Sequence, residues 1–319
     1  MSLKGRVVPD PVDIGQIAAP PFVRLPDIAT HFAARATRLD ALAPGNPLEP
    51  FLRFVADIAR AQHKAAGALS AGMLPGDDHI AFCKAHRFAL IERLTWVRDA
   101  SFVSGARAIA RALIGVRMPE AAASALAAFT ARDDKSIDAL ADRLLREEQE
   151  PWDMAEVPFV AAALELHWAR MAARLDPAVP VPLEPRSLCP VCGSTALTSV
   201  VEAAAGRQGS RFLCCGLCQA RWNYTRIQCA HCVSTKGIAY HHVEGGSKAV
   251  RAETCDECRT YTKALYLEEA PDLDPVADDL ATLPLDLLVG EAGWRRARLN
   301  WYLMPQNEEA PEPLSATSA

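Results

Sequence analysis

The feature that most constrains this chain is the arrangement of its cysteines. Eight of the ten cysteines lie in four Cys-x-x-Cys pairs, and only Cys83 and Cys214 fall outside them. A first pair is followed after 22 residues by a second pair, and this unit recurs with an offset of 40 residues. The first unit contains Cys189, Cys192, Cys215 and Cys218, and the second unit contains Cys229, Cys232, Cys255 and Cys258. The spacing therefore indicates a duplicated module with four thiols in each copy.

Four thiols in two such pairs have the chemistry of a metal site. The two thiolates of one Cys-x-x-Cys turn can bind the same ion, and two turns complete a tetrahedron with metal–sulfur distances of about 2.3 Å. A module of about 40 residues has too small a core to fold well alone, and a metal ion supplies the missing stability. We therefore expect one ion in each unit, and iron and zinc fit four thiolates equally well.

Other uses of the thiols remain open. A redox-active Cys-x-x-Cys motif normally starts a helix after a strand, whereas strands and turns are expected on both sides of these pairs. Thiols with a purely structural role are the other alternative. An ion held by four protein ligands has no open position for a substrate, which favours a structural role over a catalytic one.

The four pairs differ in the residue that follows the second cysteine. Gly193 follows the first pair, as in a rubredoxin-like turn, and glycine readily adopts the positive φ that aims backbone N–H groups at sulfur. Gln219, Val233 and Arg259 stand at the equivalent positions. This difference predicts that the two sites are unequal.

The rest of the chain divides around a proline-rich stretch. Pro177, Pro180, Pro182 and Pro185 exclude a helix or a central strand there and predict an extended linker. Apolar residues recur at helical spacing before it, including over residues 87–114, whereas short strands and turns are expected after it. The predicted fold class is α+β: an all-α domain (1–182), two tandem rubredoxin-like or zinc-ribbon β modules (186–227 and 228–268), a C-terminal helical segment (272–304) and a disordered tail (305–319).

Several isolated residues invite functional interpretations. Cys214 is expected to point to the opposite face of a strand from Cys215. Cys83 fits a buried position on a helix, where His86 could pair with it. Trp222 and Tyr224 could stack on bases, but they more readily cover the metal sulfurs and fill the small core.

Composition and charge narrow the function classes. The sequence has no run of about 18 apolar residues, so no membrane insertion is expected. Its start shows no apolar signal core, and a cytoplasmic location is expected. The net charge is −5. Residues 186–270 carry 10 Lys and Arg against 7 Asp and Glu, which is a small positive excess. Two sites of four thiolates around a divalent ion would each add about −2 and so remove this excess. Nucleic-acid binding as the main role is therefore disfavoured. No phosphate-binding loop or catalytic triad pattern is recognisable, so no catalytic or organic cofactor-binding residue is predicted.

Motifs along most of the chain resemble those of one family. They are PPFVRLPD (20–27), NPLEPFLRFVADIARAQ (46–62), CPVCGS (189–194), RFLCCGLCQARWNYTRIQC (211–229), AVRAETCDECRTYTKALY (249–266) and DPVADDLATLPLDLLVGEAGWRR (274–296). On these motifs the chain resembles the FdhE family, the formate dehydrogenase accessory proteins. The extra thiol of Cys214 and the interruption at Pro284 are mild departures from the family pattern.

The resemblance implies a function beyond what the spacing predicts. Members are cytoplasmic maturation factors rather than enzymes, and they are thought to bind the catalytic subunit of formate dehydrogenase before export. The implied fold is a helical domain followed by two rubredoxin-like or zinc-ribbon modules, and all eight paired cysteines match the family pattern. A zinc-ribbon nucleic-acid-binding protein and a rubredoxin-like electron-transfer protein are the alternatives.

Overall fold

The structure is a computed structural model of the chain that describes residues 20–69, 72–148, 154–204 and 207–303. The tail predicted over 305–319 lies outside the described residues. The fold class is the expected one: a helical N-terminal region, a sheet region that carries both cysteine sets, and a short C-terminal helical part. None of the described helices has the length and apolar character needed to cross a bilayer.

The helical region is built around one buried helix. Its α-helices are α1 (His31–Leu42), α2 (Glu49–Ala68), α3 (Asp77–His86), α4 (Ala100–Leu113), α5 (Glu120–Ala131), α6 (Asp134–Leu145) and α7 (Val157–Ala172), with a 3-10 turn, η1 (Met154–Glu156), before α7. In α4, apolar residues at steps of three and four face the core, as Phe102, Ala106 and Ile109 show. Helix α7 is buried on almost all sides, because α2, α4 and α6 pack around it.

One predicted helical stretch is not helical. Residues 88–99 form an irregular segment between α3 and α4, although their apolar spacing suggested a helix. Two of its main-chain N–H groups, those of Ile91 and Arg93, donate hydrogen bonds to carbonyls of the first Cys-x-x-Cys turn instead of to a helix. Packing against a distant segment therefore overrides the local pattern.

The strands form one continuous sheet. They are β1 (Val23–Arg24), β2 (Ala196–Ala204), β3 (Arg207–Cys215), β4 (Arg221–Tyr224), β5 (Ile238–His241), β6 (Val250–Cys255), β7 (Thr260–Tyr266) and β8 (Arg295–Arg296). The order is β1-β4-β3-β2-β7-β6-β5, and β8 also pairs with β7. Each module supplies an antiparallel meander, β2-β3-β4 or β5-β6-β7. The first strand of one module, β2, pairs in parallel with the last strand of the other, β7, and this pairing joins the two modules in one sheet.

The C-terminal segment is only partly helical. Helices α8 (Ala277–Ala281) and α9 (Leu283–Glu291) are followed by β8 and by a 3-10 turn, η2 (Trp301–Leu303). The predicted helical segment over 272–304, with its interruption at Pro284, corresponds to α8 and α9. Its last third is not helical, since Arg295 and Ala297 donate main-chain hydrogen bonds to the residue before β7 and to β7 itself. Proline is tolerated at Pro284 because it stands in the first turn of α9.

A buried ammonium group ties this segment to the second module. Lys263 in β7 is 1% exposed, and its Nζ donates to Asp286 Oδ2 at 2.6 Å and to Thr282 Oγ1 at 2.9 Å. Burial lowers the pKa of Lys263 to about 7, partly opposed by Asp286. A lysine buried to this extent needs such partners, so α8 and α9 form an integral cover of the sheet.

Candidate metal centres

The structure brings the eight paired cysteines together in the two sets that the repeat predicted. All four sulfurs of each set lie within 4.8 Å of one another, and none of the ten cysteines is in a disulfide. In the first set, Sγ–Sγ distances are 3.5 Å between Cys189 and Cys218 and 3.4 Å between Cys192 and Cys215. In the second set both cross-pairs, Cys229–Cys258 and Cys232–Cys255, are 3.7 Å apart.

These distances fit a tetrahedral ion. A metal–sulfur distance of about 2.3 Å places the sulfurs of a regular tetrahedron about 3.8 Å apart. Main-chain N–H groups of Leu217 and Cys218 lie 3.4 Å from Cys215 Sγ, and those of His231 and Cys232 lie 3.3 and 3.4 Å from Cys229 Sγ. Such N–H groups stabilise thiolates, as expected for metal ligands.

The burial of the first set also favours a bound metal ion. Burial raises the pKa of the Cys189 and Cys218 thiols well above the usual value. Four thiolates without a counter-charge would be unstable in such a place, whereas a bound divalent cation offsets about half of their negative charge. Each set could thus hold one metal ion, and its four sulfurs leave no ligand position open.

The difference predicted from Gly193 is not found in the backbone. Gly193 has φ +73°, and Gln219, Val233 and Arg259 have φ 63°, 57° and 54° at the equivalent positions. All four turns therefore adopt the same left-handed conformation, although it costs a non-glycine residue about 1–2 kcal/mol. The interpretation that glycine distinguishes one turn is wrong, because the turn itself imposes the conformation.

The two sets differ in exposure instead. All four cysteines of the first set are buried, whereas Cys232 and Cys258 of the second set are only half-buried. The first set lies at the junction of the helical region and the sheet. The second set lies in the outer module, beyond the β2–β7 pairing.

Comparison with known proteins places this architecture in a family. Three family models match successive parts of the chain: "FdhE, N-terminal" over residues 20–184, "FdhE, central domain" over 188–226 and "FdhE, C-terminal domain" over 227–303. The chain belongs to the FdhE family. Together these matches extend over nearly all the described residues, so both cysteine sets lie within family domains.

Individual relatives align with this chain over almost its whole length. A "Protein FdhE homolog" from Rhizobium meliloti (strain 1021) is 35% identical over 93% of this chain and 98% of the relative. Another, from Stutzerimonas stutzeri (strain A1501), is 34% identical over 92% of this chain and 97% of the relative. The crystal structure of the FdhE protein from Pseudomonas aeruginosa superposes with a TM-score of 0.81 at 31% identity, covering 90% of this chain and all of that one.

The remaining thiols of this FdhE chain are not part of either set. Cys214 faces the opposite side of the sheet from Cys215, in an apolar cluster with Val200 and Leu265. Burial raises the pKa of Cys214 to about 11. The prediction that Cys214 points to the opposite face of the strand from Cys215 is confirmed.

Cys83 is a buried helical residue, as expected, but its partner differs from the expected one. Its Sγ lies 3.3 Å from His79 Nε2, whereas His86 packs against Phe82 and Phe88. His79 Nε2 also lies 3.0 Å from the carbonyl oxygen of Leu90, the geometry of an N–H donor to that oxygen. A nitrogen that donates its proton there cannot accept one from Cys83, so the pair lacks the arrangement of a catalytic dyad.

The aromatic residues considered for base stacking are structural in this FdhE fold. Trp222 is fully buried, and its Nε1–H donates to the carbonyl oxygen of Arg186 at 3.1 Å. Tyr224 is 5% exposed, and its hydroxyl donates to the carbonyl oxygen of Cys229 at 3.0 Å. Tyr224 thus links the last strand of the first module to the first turn of the second.

Sequence reasoning missed a buried polar network beside the first set. Arg35 is 1% exposed and donates to Gln219 Oε1 at 2.7 Å, to Glu165 Oε2 at 3.2 Å and to Asp274 Oδ1 at 3.2 Å. Burial raises the pKa of Glu165 to about 7, opposed by Arg35. The network joins α1, α7, the turn at Gln219 and the C-terminal segment. The only sign of this network in the sequence is the presence of charged residues within the apolar faces of helices.

Proposed function

We propose that this protein is an accessory factor for the maturation of formate dehydrogenase, that it binds the catalytic subunit in the cytoplasm, and that it is not itself an enzyme. The single observation that carries the proposal is that FdhE family models follow one another along residues 20–303 and include both four-cysteine sets. The link to formate dehydrogenase comes from the family resemblance.

The proposal assigns one iron or zinc ion to each cysteine set. Cys189, Cys192, Cys215 and Cys218 would hold the first ion, and Cys229, Cys232, Cys255 and Cys258 the second. A bound ion would join the two turns of its module, and iron would add one-electron redox chemistry that zinc lacks. Since every ligand position is taken by sulfur, a role in shaping a binding surface is favoured over catalysis.

The shape of the molecule supports a scaffold role. The helical region and both modules share one sheet through β1 and the β2–β7 pairing, which fixes the modules relative to each other. A rigid surface of this kind binds a partner without a large ordering cost. The burial of Trp222 and Tyr224 removes the aromatic platform that a nucleic-acid-binding ribbon would need.

A complementation experiment tests the proposal. A bacterial host that lacks its own FdhE-family gene would be given this chain, and formate dehydrogenase activity and co-purification of the catalytic subunit would be measured. We expect both to be restored by the natural chain and lost with Cys218→Ser or Cys258→Ser. Cys214→Ser is the matched control for Cys218→Ser, because it also replaces a buried cysteine of the first module, and it should retain both.

Other outcomes would redirect the assignment. Co-purification of nucleic acid with a steep salt dependence, and none of the catalytic subunit, would favour the nucleic-acid alternative. A reducible iron centre that supports electron transfer to a partner, without any effect on formate dehydrogenase maturation, would favour the rubredoxin-like alternative. Metal analysis of protein purified without oxygen distinguishes iron from zinc in either case.

A further inference from the structure

The internal repeat provides a matched comparison between the two cysteine sets. Residues 40 positions apart occupy the same place in each turn. Val191 and Leu217, which lie between the paired cysteines of the first module, are fully buried. Their counterparts in the second module, His231 and Glu257, are exposed. The same backbone turn is therefore covered in one copy and open to solvent in the other.

The cover of the first set comes from the helical region. The N–H of Ile91 donates to the Val191 carbonyl at 2.9 Å, and that of Arg93 donates to the Cys192 carbonyl at 3.0 Å. Trp168 in the buried helix α7 holds this cover, because its Nε1–H donates to the Ile91 carbonyl at 3.1 Å.

The other turn of the first set is held by the Arg35 network. Gln219, directly after Cys218, accepts a hydrogen bond from Arg35 at 2.7 Å and is 7% exposed. Its counterpart in the second module is Arg259, whose side chain is 60% exposed and pairs with Asp256, itself exposed.

The second set has no equivalent cover. Within the described ranges, no main-chain N–H donates to the carbonyls of His231 or Cys232. Cys232 and Cys258 are half-buried, so incoming ligands can approach this set from solvent. The other side of the set is held in place through the hydrogen bond from Tyr224 to the Cys229 carbonyl.

We infer that the second set is the exchangeable metal site of this protein, able to pass its ion to a soluble chelating or thiol-containing acceptor while the first set retains its own. This inference rests on the metal occupancy proposed above and not on client binding. In the exchange, the thiolates of Cys232 and Cys258 would leave first as acceptor atoms take their places. Each released thiolate takes up a proton, which comes from the acceptor thiol that deprotonates as it binds the ion or, for a chelator, from the solvent, and no electron changes hands. At the first set the same exchange requires the 88–93 segment to separate from the turn, which is a local unfolding event.

The test uses the full chain loaded with zinc alone and an excess of a chromogenic zinc chelator. We expect two kinetic phases of one ion each, with rates that differ by about tenfold or more because only one site needs a local opening. A cysteine-specific alkylating reagent, added at intervals and followed by peptide mass spectrometry, identifies the site that empties in each phase. Cys232 and Cys258 should be labelled during the fast phase, and the four cysteines of the first set only during the slow phase.

Two variants strengthen the assignment. Cys258→Ser should abolish the fast phase and leave the slow one. Trp168→Phe, which removes the hydrogen bond that holds the cover, should accelerate the slow phase and leave the fast one unchanged. If a variant does not fold, the labelling of the natural chain still decides the question.

Several results would overturn the inference. Release of both ions in one phase, or earlier labelling of the first set, would show that the cover does not control exchange. Both results would leave the proposed metal occupancy intact. Failure of both sets to bind zinc or iron would refute the occupancy and this inference together.

Discussion

The main-chain N–H of Ile91 donates a hydrogen bond to the carbonyl oxygen of Val191, 2.9 Å away and 100 residues later in the chain. This bond fixes an irregular segment of the helical region on the tip of a Cys-x-x-Cys turn. Because Trp168 donates to the carbonyl of the same Ile91, the turn is connected through one residue to the central helix of the protein.

The first prediction concerns Trp168. Trp168→Phe should lower the free energy of unfolding by about 1–3 kcal/mol, because the Ile91 carbonyl would lose a buried donor. Denaturant unfolding checks this. Trp294→Phe is the matched control, since Trp294 Nε1 is buried without a hydrogen-bond partner among the described residues. A loss from Trp294→Phe as large as that from Trp168→Phe would show that ring size, and not the hydrogen bond, matters.

Adjacent cysteines give a second prediction. Cys215→Ala should remove one bound ion, because Cys215 is one of four close sulfurs. Cys214→Ala should leave metal content unchanged and cost about 1 kcal/mol of stability through the small cavity it creates on the other face of the sheet. Elemental analysis of both variants, with a thermal unfolding curve for each, checks this. Loss of an ion from Cys214→Ala would contradict the assignment of Cys214 as a core residue.

The common left-handed turn leads to a third prediction. Val233→Gly should raise the free energy of unfolding by about 0.5–1 kcal/mol, because a β-branched residue is strained at φ 57°. Gly193→Ala should lower it by about 1–2 kcal/mol, since a Cβ there would be strained at φ +73° and would lie 3.3 Å from Glu92 Oε1. Denaturant unfolding of the two metal-loaded variants measures both changes. Equal effects of the same sign would refute the argument.

The buried Arg35 network leads to a fourth prediction. Arg35→Met would leave Glu165 and Asp274 without their guanidinium partner, and about 3–5 kcal/mol of stability should be lost. Arg53→Met is the control, because Arg53 forms an exposed pair with Glu49 that contributes about 0.5 kcal/mol or less. Chemical denaturation at neutral pH compares the two. Similar small losses would mean that the network is dispensable.

A buried histidine leads to a prediction about pH. Burial lowers the pKa of His167 to about 4, whereas in the unfolded chain it titrates near 6.5. The unfolded state therefore binds the proton first, and stability should fall as pH decreases from 6.5 to 4, by about 3 kcal/mol at most for this group. His167→Gln should make that part of the stability profile flatter. An unchanged slope in equilibrium unfolding between pH 4 and pH 7 would exclude His167 as the source.

Much of the architecture follows from the sequence because its signals are local. Cys-x-x-Cys turns bring two sulfurs together within four residues, and the 40-residue repeat indicates which turns share a set. Helices such as α2 and α4 are visible in the spacing of apolar residues. The placement of Cys214 on the opposite face of its strand from Cys215 follows from strand alternation alone.

The tertiary structure decided what depends on contacts between distant residues. Residues 88–99 have helical spacing, but Ile91 and Arg93 satisfy their N–H groups on a turn 100 residues away. Gln219 lies beside a buried arginine from α1, a contact between residues 184 positions apart. The two cysteine sets have the same spacing and the same backbone turns, and only the packing of the helical region on one copy makes them different.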